Sequence, residues 1–245
     1  MISKTALKNI GHKLHLEGFI KSQKELLRDN RGGFLIPIEV KIKDKEFEKY
    51  MYLPINWEIS PITKDDLPEE FSQKAVNTVD MFRRKTYGLD YECIIYFDIH
   101  TGNIIFCGFS DEDAPNKVEG DIYASLLRGM HIASAHNHPI QYGSPPSGKN
   151  FQMLCLEFEE YELIFSKKEL WILESHEEVF DEDYVDEIRK KLDNYFDSTF
   201  DDYSKEFDEG FLVLDNVSND YGNFLLIYLN NELNSIKLTR RYFDD

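Results

Sequence analysis

The chain has 245 residues and a formal net charge of −18, and 42% of its residues are hydrophobic. A chain of this length and apolar content can bury a core of its own, which excludes a disordered protein. Its acidic surface repels phosphate backbones and anionic membranes, so we expect neither a nucleic acid nor a membrane as partner. A basic protein partner suits this charge better, although acidity more often serves only solubility.

Residues 1–84 are predicted to form an N-terminal region of uncertain fold. The stretch from Ala6 to Leu27 has the pattern of a helix, and the segments FLIPIEVKI and KYMYLPINWEI are predicted to be extended. Four prolines interrupt this region, and proline cannot donate a hydrogen bond to a neighbouring strand. Any strands here should therefore be short or lie at the edge of a sheet.

Residues 85–176 are predicted to form the core of the protein. The runs YECIIYFD and NIIFCGF predict two strands joined by a turn at Gly102. The segment VEGDIYASLLRGM has apolar residues at helical spacing, and HIASAH after it predicts a short buried strand. Ser147 has the features of a helix N-cap, and the runs YELIF and ELWILE predict a second hairpin.

Residues 177–245 are predicted to pack on this core. An apolar stripe with helical spacing over about 181–208 predicts an amphipathic helix with a strongly acidic outer face. The runs GFLVLDN and NFLLIYL predict a last pair of strands or a docking segment.

The cysteines and the apolar runs indicate the compartment. Cys93, Cys107 and Cys155 each lie in apolar surroundings without a C-x-x-C pair, which is typical of buried thiols in a reducing environment. No apolar run approaches the roughly 18 residues that span a bilayer, and the N-terminus lacks the apolar stretch of a signal peptide. We therefore expect a cytoplasmic protein.

The segment AHNHP contains the most informative residues of the chain. In a strand, His136 and His138 project from the same face, so both imidazoles can bind one metal ion. A hydrolytic zinc site needs three protein ligands and an open position, and Asn150, in the first turn of the helix that begins after Ser147, is well placed as the third. Glu92, a carboxylate within an apolar strand, is the candidate general base.

Each of these residues also has a purely structural interpretation. Histidines often cap helices or fill cores, Glu92 could be an edge-strand carboxylate facing water, and Ser147 could be a simple N-cap. Glu119 is a competing acid, but its position favours a helix N-terminus. The remaining histidines that we considered are expected to be structural or exposed, namely His100, His131 and His176.

The order of Glu-bearing strand, hairpin, helix, HNHP strand and Ser-capped helix resembles the JAB/MPN (JAMM) metallopeptidase family, closest to its bacterial RadC-like and phage-associated members. The resemblance covers roughly residues 88–175. It implies an α+β fold with a mixed, cytidine-deaminase-like sheet flanked by helices. It also implies zinc bound by His136 and His138, Glu92 as general base and acid, and Ser147 as hydrogen-bond donor to the metal's water or to the oxyanion.

The chain departs from the family pattern at two places. The loop PIQYGSPP is one residue longer than the family's, and Asn150 stands where the family has an aspartate ligand. An amide oxygen can bind zinc but carries no charge, so metal affinity should be lower. Three explanations of this asparagine are open: a natural loss of activity, a site that tolerates a carbonyl ligand, or an engineered substitution.

Two main functions follow from the resemblance. The first is a zinc metallopeptidase or isopeptidase that hydrolyses a bond at the tail of a protein or ubiquitin-like substrate. The alternative is a catalytically inactive JAB-like interaction module of a phage, mobile-element or defence system. A role in DNA repair, by analogy with RadC, ranks lower because of the negative charge.

Overall fold

A computed structural model describes residues 45–110, 130–139, 145–156, 159–176, 181–206, 210–233 and 235–244. The five α-helices in these ranges are α1 (Lys45–Tyr52), α2 (Gln73–Thr86), α3 (Gly148–Leu156), α4 (Glu182–Glu206) and α5 (Gly210–Glu232), and a short 3-10 helix spans Lys64–Asp66. The six strands are β1 (Cys93–Asp98), β2 (Ile104–Phe109), β3 (Ile132–Asn137), β4 (Tyr161–Phe165), β5 (Glu169–Ser175) and β6 (Ile236–Tyr242).

The six strands form one mixed sheet in the order β2-β1-β3-β4-β5-β6. Strands β3 and β4 pair in parallel, and each of the other neighbouring pairs is antiparallel. The α+β class predicted from the sequence is therefore confirmed at the level of a mixed sheet with helices. The parallel pair lies at the centre of the sheet, where both faces are covered.

Helices cover the two faces of the sheet with two separate apolar clusters. On one face, α1 and α2 pack through Tyr50, Val79 and Phe82 against strand residues such as Phe97 and Leu163. We call this the α1/α2 face. On the other face, α3, α4 and α5 pack around Trp171 and Leu173 of β5, and we call this the α3/α4/α5 face.

Most predicted elements of the core region are confirmed. β1 and β2 form a hairpin that turns at Gly102 (φ +71°), and β4 and β5 form the second hairpin. The strand predicted from HIASAH is β3, and the helix predicted after Ser147 is α3. The acidic helix is α4, which buries Val185, Ile188 and Leu192 of the predicted stripe. All three cysteines are buried, and none of them is in a disulfide.

The predicted strand pair GFLVLDN and NFLLIYL is wrong, because both runs belong to the single helix α5. Val217, Tyr221, Leu225 and Leu229 are buried at intervals of four residues, which is the spacing of one helix face. Gly222, which lies between the two runs, is required by packing. A Cβ at this position would lie 2.7 Å from Cη2 of Trp171.

The extended segment predicted for KYMYLPINWEI is also corrected, since its first residues lie in α1 and the remainder is irregular. Tyr50 is the buried residue of this helix, and it packs on α2 by an aromatic contact with Phe82. Four further predictions concern residues outside the described ranges. They are the helix at Ala6–Leu27, the segment FLIPIEVKI, the helix at 118–130, of which only residue 130 is described, and Glu119. None of the helices in the described ranges is both long and apolar enough to cross a membrane.

Candidate metal centre

The two histidines of the HNHP segment lie together on the α3/α4/α5 face. Their Nε2 atoms are 3.2 Å apart, and their rings are 5.1 Å apart between centroids. His136 is 1% exposed, whereas His138, which follows the end of β3, is half-buried. Burial, and secondly the neighbouring His138, hold the pKa of His136 well below its usual value. His136 is therefore neutral at pH 7, which is the form that binds metal.

The first turn of α3 brings Asn150 to the same place. Ser147 caps the helix, because its Oγ accepts a hydrogen bond from the backbone N–H of Asn150 at 3.2 Å. The side-chain amide nitrogen of Asn150 lies 3.3 Å from Nε2 of His136. Its amide oxygen points away from the histidines and accepts from the backbone N–H and the hydroxyl of Ser147, at 2.8 and 2.7 Å.

The orientation of the Asn150 amide is fixed at both ends. Its nitrogen donates to Oε1 of Glu162 at 2.9 Å, while Ser147 donates to its oxygen. Turning the amide over would set oxygen against a carboxylate and nitrogen against an N–H group, so at least two hydrogen bonds would be lost, each worth about 1 kcal/mol. In this orientation Asn150 presents a donor to the histidines, and not the oxygen that a metal ion requires.

Glu92 lies one residue before β1, at the end of the strand rather than inside it. Its backbone exchanges hydrogen bonds with Ser110, which extends the pairing of β1 with β2 by one residue. Because Ile94 is opposite His136 and side chains alternate along a strand, Glu92 belongs to the face that carries the histidines. Its carboxyl also interacts electrostatically with Lys149 and Glu162, both of which are adjacent to Asn150 in sequence or in space.

Burial raises the pKa of Glu92 from 4.5 to about 7, although Lys149 acts in the opposite direction. A carboxyl with a pKa near neutrality exists in comparable amounts as acid and as base. General acid–base catalysts have this property, since they must both take up and release a proton at the working pH. The physical cause is desolvation at the edge of a packed sheet.

Asn137, the residue between the two histidines, holds the backbone on both sides of Glu92. It points to the opposite face of the sheet, where its amide nitrogen donates to the carbonyl of Tyr91 and its amide oxygen accepts from the N–H of Cys93, both at 2.9 Å. The amide is buried. The end of β1 is thus fixed relative to the histidine strand by a side chain to which our sequence analysis assigned no role.

Glu162, on β4, is a second residue that the sequence analysis missed. It is 3% exposed and lies opposite Ser134 in the parallel pairing of β3 and β4, on the face of His136. Its Oε1 lies 3.6 Å from Nδ1 of His136. Burial and then the charge of Glu159 raise its pKa well above the usual value, and the hydrogen bond from Asn150 opposes this. The sequence contained one signal for this residue, namely a charged side chain within the apolar run YELIF.

The close contact between α3 and α4 sets the position of the capped turn. A Cβ at Gly148 would clash with Oδ1 of Asp193 and would lie 3.0 Å from the carbonyl of Arg189. A larger residue here would therefore displace the Asp193 side chain and press on the backbone of α4. Gln152, one turn further along α3, also bonds Arg189 and Asp186 of α4. The turn that carries Ser147 and Asn150 therefore rests on the acidic helix.

The histidine pair fits a zinc ion, whereas Asn150 in its present orientation does not. Ligand atoms of a tetrahedral zinc site with bonds of about 2.0–2.1 Å lie about 3.3–3.4 Å apart. The Nε2 atoms at 3.2 Å match this separation. Asn150 is at a matching distance but presents nitrogen. Over the described ranges, no set of three or more His, Cys, Asp or Glu side chains is arranged to hold a metal ion.

A small cleft lies beside His138, at the ends of β3 and β4. It is shallow and is lined partly by Arg83 and Thr86 of α2 and by Lys167 of the β4–β5 turn. Solvent thus reaches the centre from the side of His138, whereas His136 and Glu162 form its buried floor. His131 and His176, expected to be structural or exposed, are about half-exposed and pair with Glu160 and Glu174.

No protein-family model, no curated protein and no solved structure matches this chain.

Proposed function

We propose that the chain is a zinc-dependent peptidase or isopeptidase of the JAB/MPN type, which hydrolyses a peptide or isopeptide bond in a protein tail. The observation that carries this proposal is the convergence of His136 and His138, with their Nε2 atoms 3.2 Å apart, on the sheet face to which Glu92 belongs. The carboxylate and the imidazoles come from positions more than forty residues apart in the chain. Groups that lie on one face of a sheet can act together in a hydrolytic site.

The element order also supports the proposal. A hairpin whose first strand begins after Glu92 is followed by the histidine strand β3 and by the helix capped by Ser147. This order agrees with the one on which the resemblance to JAB/MPN proteins was based, except for the helix between the hairpin and β3, which lies outside the described residues. The six-stranded mixed sheet with helices on both faces is compatible with the fold that the family implies.

In this function His136 and His138 would hold the ion. Zinc, when bound, acts as a Lewis acid that polarises a carbonyl and lowers the pKa of water. Glu92 accepts a proton on its carboxylate as the nucleophile forms and returns it to the leaving amine, a role suited to its pKa of about 7. Ser147, at the start of α3, would donate a hydrogen bond to the oxyanion in place of its present bond to the amide oxygen of Asn150.

The substrate that we propose is the tail of a protein or of a ubiquitin-like protein. A flexible tail would approach the histidines from the side of His138, where the exposed Lys167 provides a donor for a backbone carbonyl. The net charge of −18 favours a substrate protein with a basic surface through long-range attraction. Rates should therefore fall as the salt concentration rises.

The test combines metal analysis with hydrolysis of fused and conjugated ubiquitin-like substrates. We expect the zinc-supplemented protein to cleave them, and Glu92→Gln to reduce the rate by about 10²–10⁴-fold, the usual contribution of a general acid–base group. The variant should still bind zinc, since the histidines are unchanged. Glu160→Gln is the matched control, because Glu160 is partly exposed and pairs with His131, away from the centre. Equal rates for Glu92→Gln and the unaltered chain would refute the mechanism.

A second function, an inactive JAB-like interaction module, is favoured by the orientation of Asn150. Its amide nitrogen faces the histidines, so the described residues provide two oriented zinc ligands. This function predicts that the unaltered chain does not bind stoichiometric zinc and that Asn150→Asp binds it, because a carboxylate can ligate with either oxygen. Tight zinc binding by the unaltered chain would rule it out.

A further inference from the structure

Glu162 occupies a place in the centre that none of the proposed catalytic roles uses. Its Oε1 accepts a hydrogen bond from the amide of Asn150 and lies 3.6 Å from Nδ1 of His136. Both the glutamate and the histidine are almost fully buried. The Glu162 carboxylate therefore accepts a hydrogen bond from one predicted ligand, Asn150, and lies within ion-pair distance of another, His136.

The two nitrogens of His136 face different groups. Nε2 points toward His138 and Asn150, where the metal is expected, and Nδ1 points toward Glu162. Histidine ligands usually have this division, in which one nitrogen binds the metal and the other donates its proton to a carboxylate. The carboxylate fixes the tautomer and makes the imidazole a better ligand.

Glu162 and His136 also have unused hydrogen-bonding capacity. Within the described residues, Oε2 of Glu162 and Nδ1 of His136 have no hydrogen-bond partner, and no lysine or arginine pairs with the carboxylate. Buried polar groups of this kind are costly unless a ligand, an ion or water completes them. A cation on the far nitrogen of His136 would satisfy Nδ1, because it draws the Nδ1 proton toward the Glu162 carboxylate.

We propose that Glu162 is a positioning residue of the metal centre, which orients His136 and, when a cation is bound, supplies the negative charge that Asn150 lacks at the family's aspartate position. This inference rests on the proposed zinc function. Glu162 acts through its neighbours and is not itself a ligand, because its Oε1 faces Nδ1 of His136 and the amide of Asn150 rather than Nε2.

The first experiment measures zinc affinity of the full-length protein by competition with a chromophoric chelator. Glu162→Gln preserves the shape of the side chain but removes its charge. We expect it to weaken zinc binding about 10–100-fold, as is typical when an outer partner of a ligand is lost. Glu160→Gln removes the same charge two residues away, and we expect less than about a threefold change because the Glu160 carboxylate is partly exposed and pairs with His131, away from the centre.

The second experiment exchanges the two side chains with the double variant N150D/E162Q. This variant keeps the net charge and the side-chain volumes, and the amide at position 162 can donate to the carboxylate at position 150, which reverses the present hydrogen bond. We expect zinc affinity within about threefold of the unaltered chain, or tighter. The visible spectrum of bound cobalt should change in E162Q, because the orientation of His136 changes, but not in E160Q.

The outcomes separate this inference from the function on which it rests. If the unaltered chain binds no zinc, both fail. If it binds zinc and E162Q binds it equally well with an unchanged cobalt spectrum, only the role of Glu162 fails. Affinity of N150D/E162Q as low as that of E162Q would likewise overturn the role of Glu162, and thermal melting of the metal-free variants identifies any that does not fold.

Discussion

The two faces of the sheet are built from the same strands but differ in chemistry. On the α1/α2 face, β3 contributes Ala133 and Ala135, which pack in a continuous apolar cluster. On the α3/α4/α5 face, the same strand contributes Ser134 and His136, which are just as deeply buried. Buried apolar groups stabilise the fold, whereas buried polar groups without full partners reduce its stability. One face therefore provides stability that offsets the cost of the site on the other.

The largest effect should follow from weakening the apolar face. Phe97 is fully buried there and packs edge-on against Phe71, with ring centroids 6.1 Å apart. Phe97→Ala leaves a cavity and should lower the free energy of unfolding by about 3–5 kcal/mol. Urea titration measures the loss. A loss below about 1 kcal/mol would mean that this face does not carry the stability of the sheet.

In the metal-free protein, Glu92→Gln should raise the free energy of unfolding, by less than Phe97→Ala lowers it. Because folding raises the pKa of this carboxyl from 4.5 to about 7, its ionisation opposes folding. The penalty is absent below the lower pKa and is complete above pH 7, and it reaches about 3 kcal/mol for a full shift. With partial solvent access we expect Glu92→Gln to be more stable by about 1–2 kcal/mol at pH 8.

The pH dependence provides the check on that variant. The advantage of Glu92→Gln should be smaller at about pH 5.5 than at about pH 8, because less of the folded protein's Glu92 is ionised at the lower pH. Thermal unfolding at both values, with chelator present, measures it. An advantage that is the same at both values would show that Glu92 is not desolvated.

Ser134→Ala, on the α3/α4/α5 face, should change the free energy of unfolding least. Ser134 is fully buried, and its hydroxyl has no hydrogen-bond partner in the described residues. Alanine removes the buried hydroxyl and little volume, so stability should stay unchanged or rise by up to about 1 kcal/mol. A loss above about 1 kcal/mol in urea titration would show instead that a bound water or other partner satisfies this hydroxyl.

Elements with local signals were predicted from the sequence. The β1–β2 and β4–β5 hairpins, β3 and the Ser147 cap each depend on residues close together in the chain, so alternation and capping patterns suffice. Helix α5 was missed because a short apolar run does not distinguish a strand from a buried helix, and its Gly222 is required by a contact with Trp171, about fifty residues earlier. A long-range contact of this kind leaves no pattern in the local sequence.

The difference between local signals and long-range contacts also applies to the candidate metal centre. The spacing of His136 and His138 places them on one face, and Glu92 was found as a charge in an apolar run. Glu162 was missed because the parallel pairing of β3 with β4 is non-local. The direction in which Asn150 turns its amide depends on Ser147 and Glu162 together, so residue identity alone could not predict it.

Because Gly148 contacts Asp193 and Arg189, helix α4 packs directly against the capped turn that carries Ser147 and Asn150. A division of the chain at residue 176 would remove that support and expose Phe151 and Leu154, which pack against α4 and α5. The capped turn and α4 should consequently open and close as one cooperative unit. Amide hydrogens in the two helices would then exchange with solvent at similar free energies, and a cation held at the histidines would slow exchange in both.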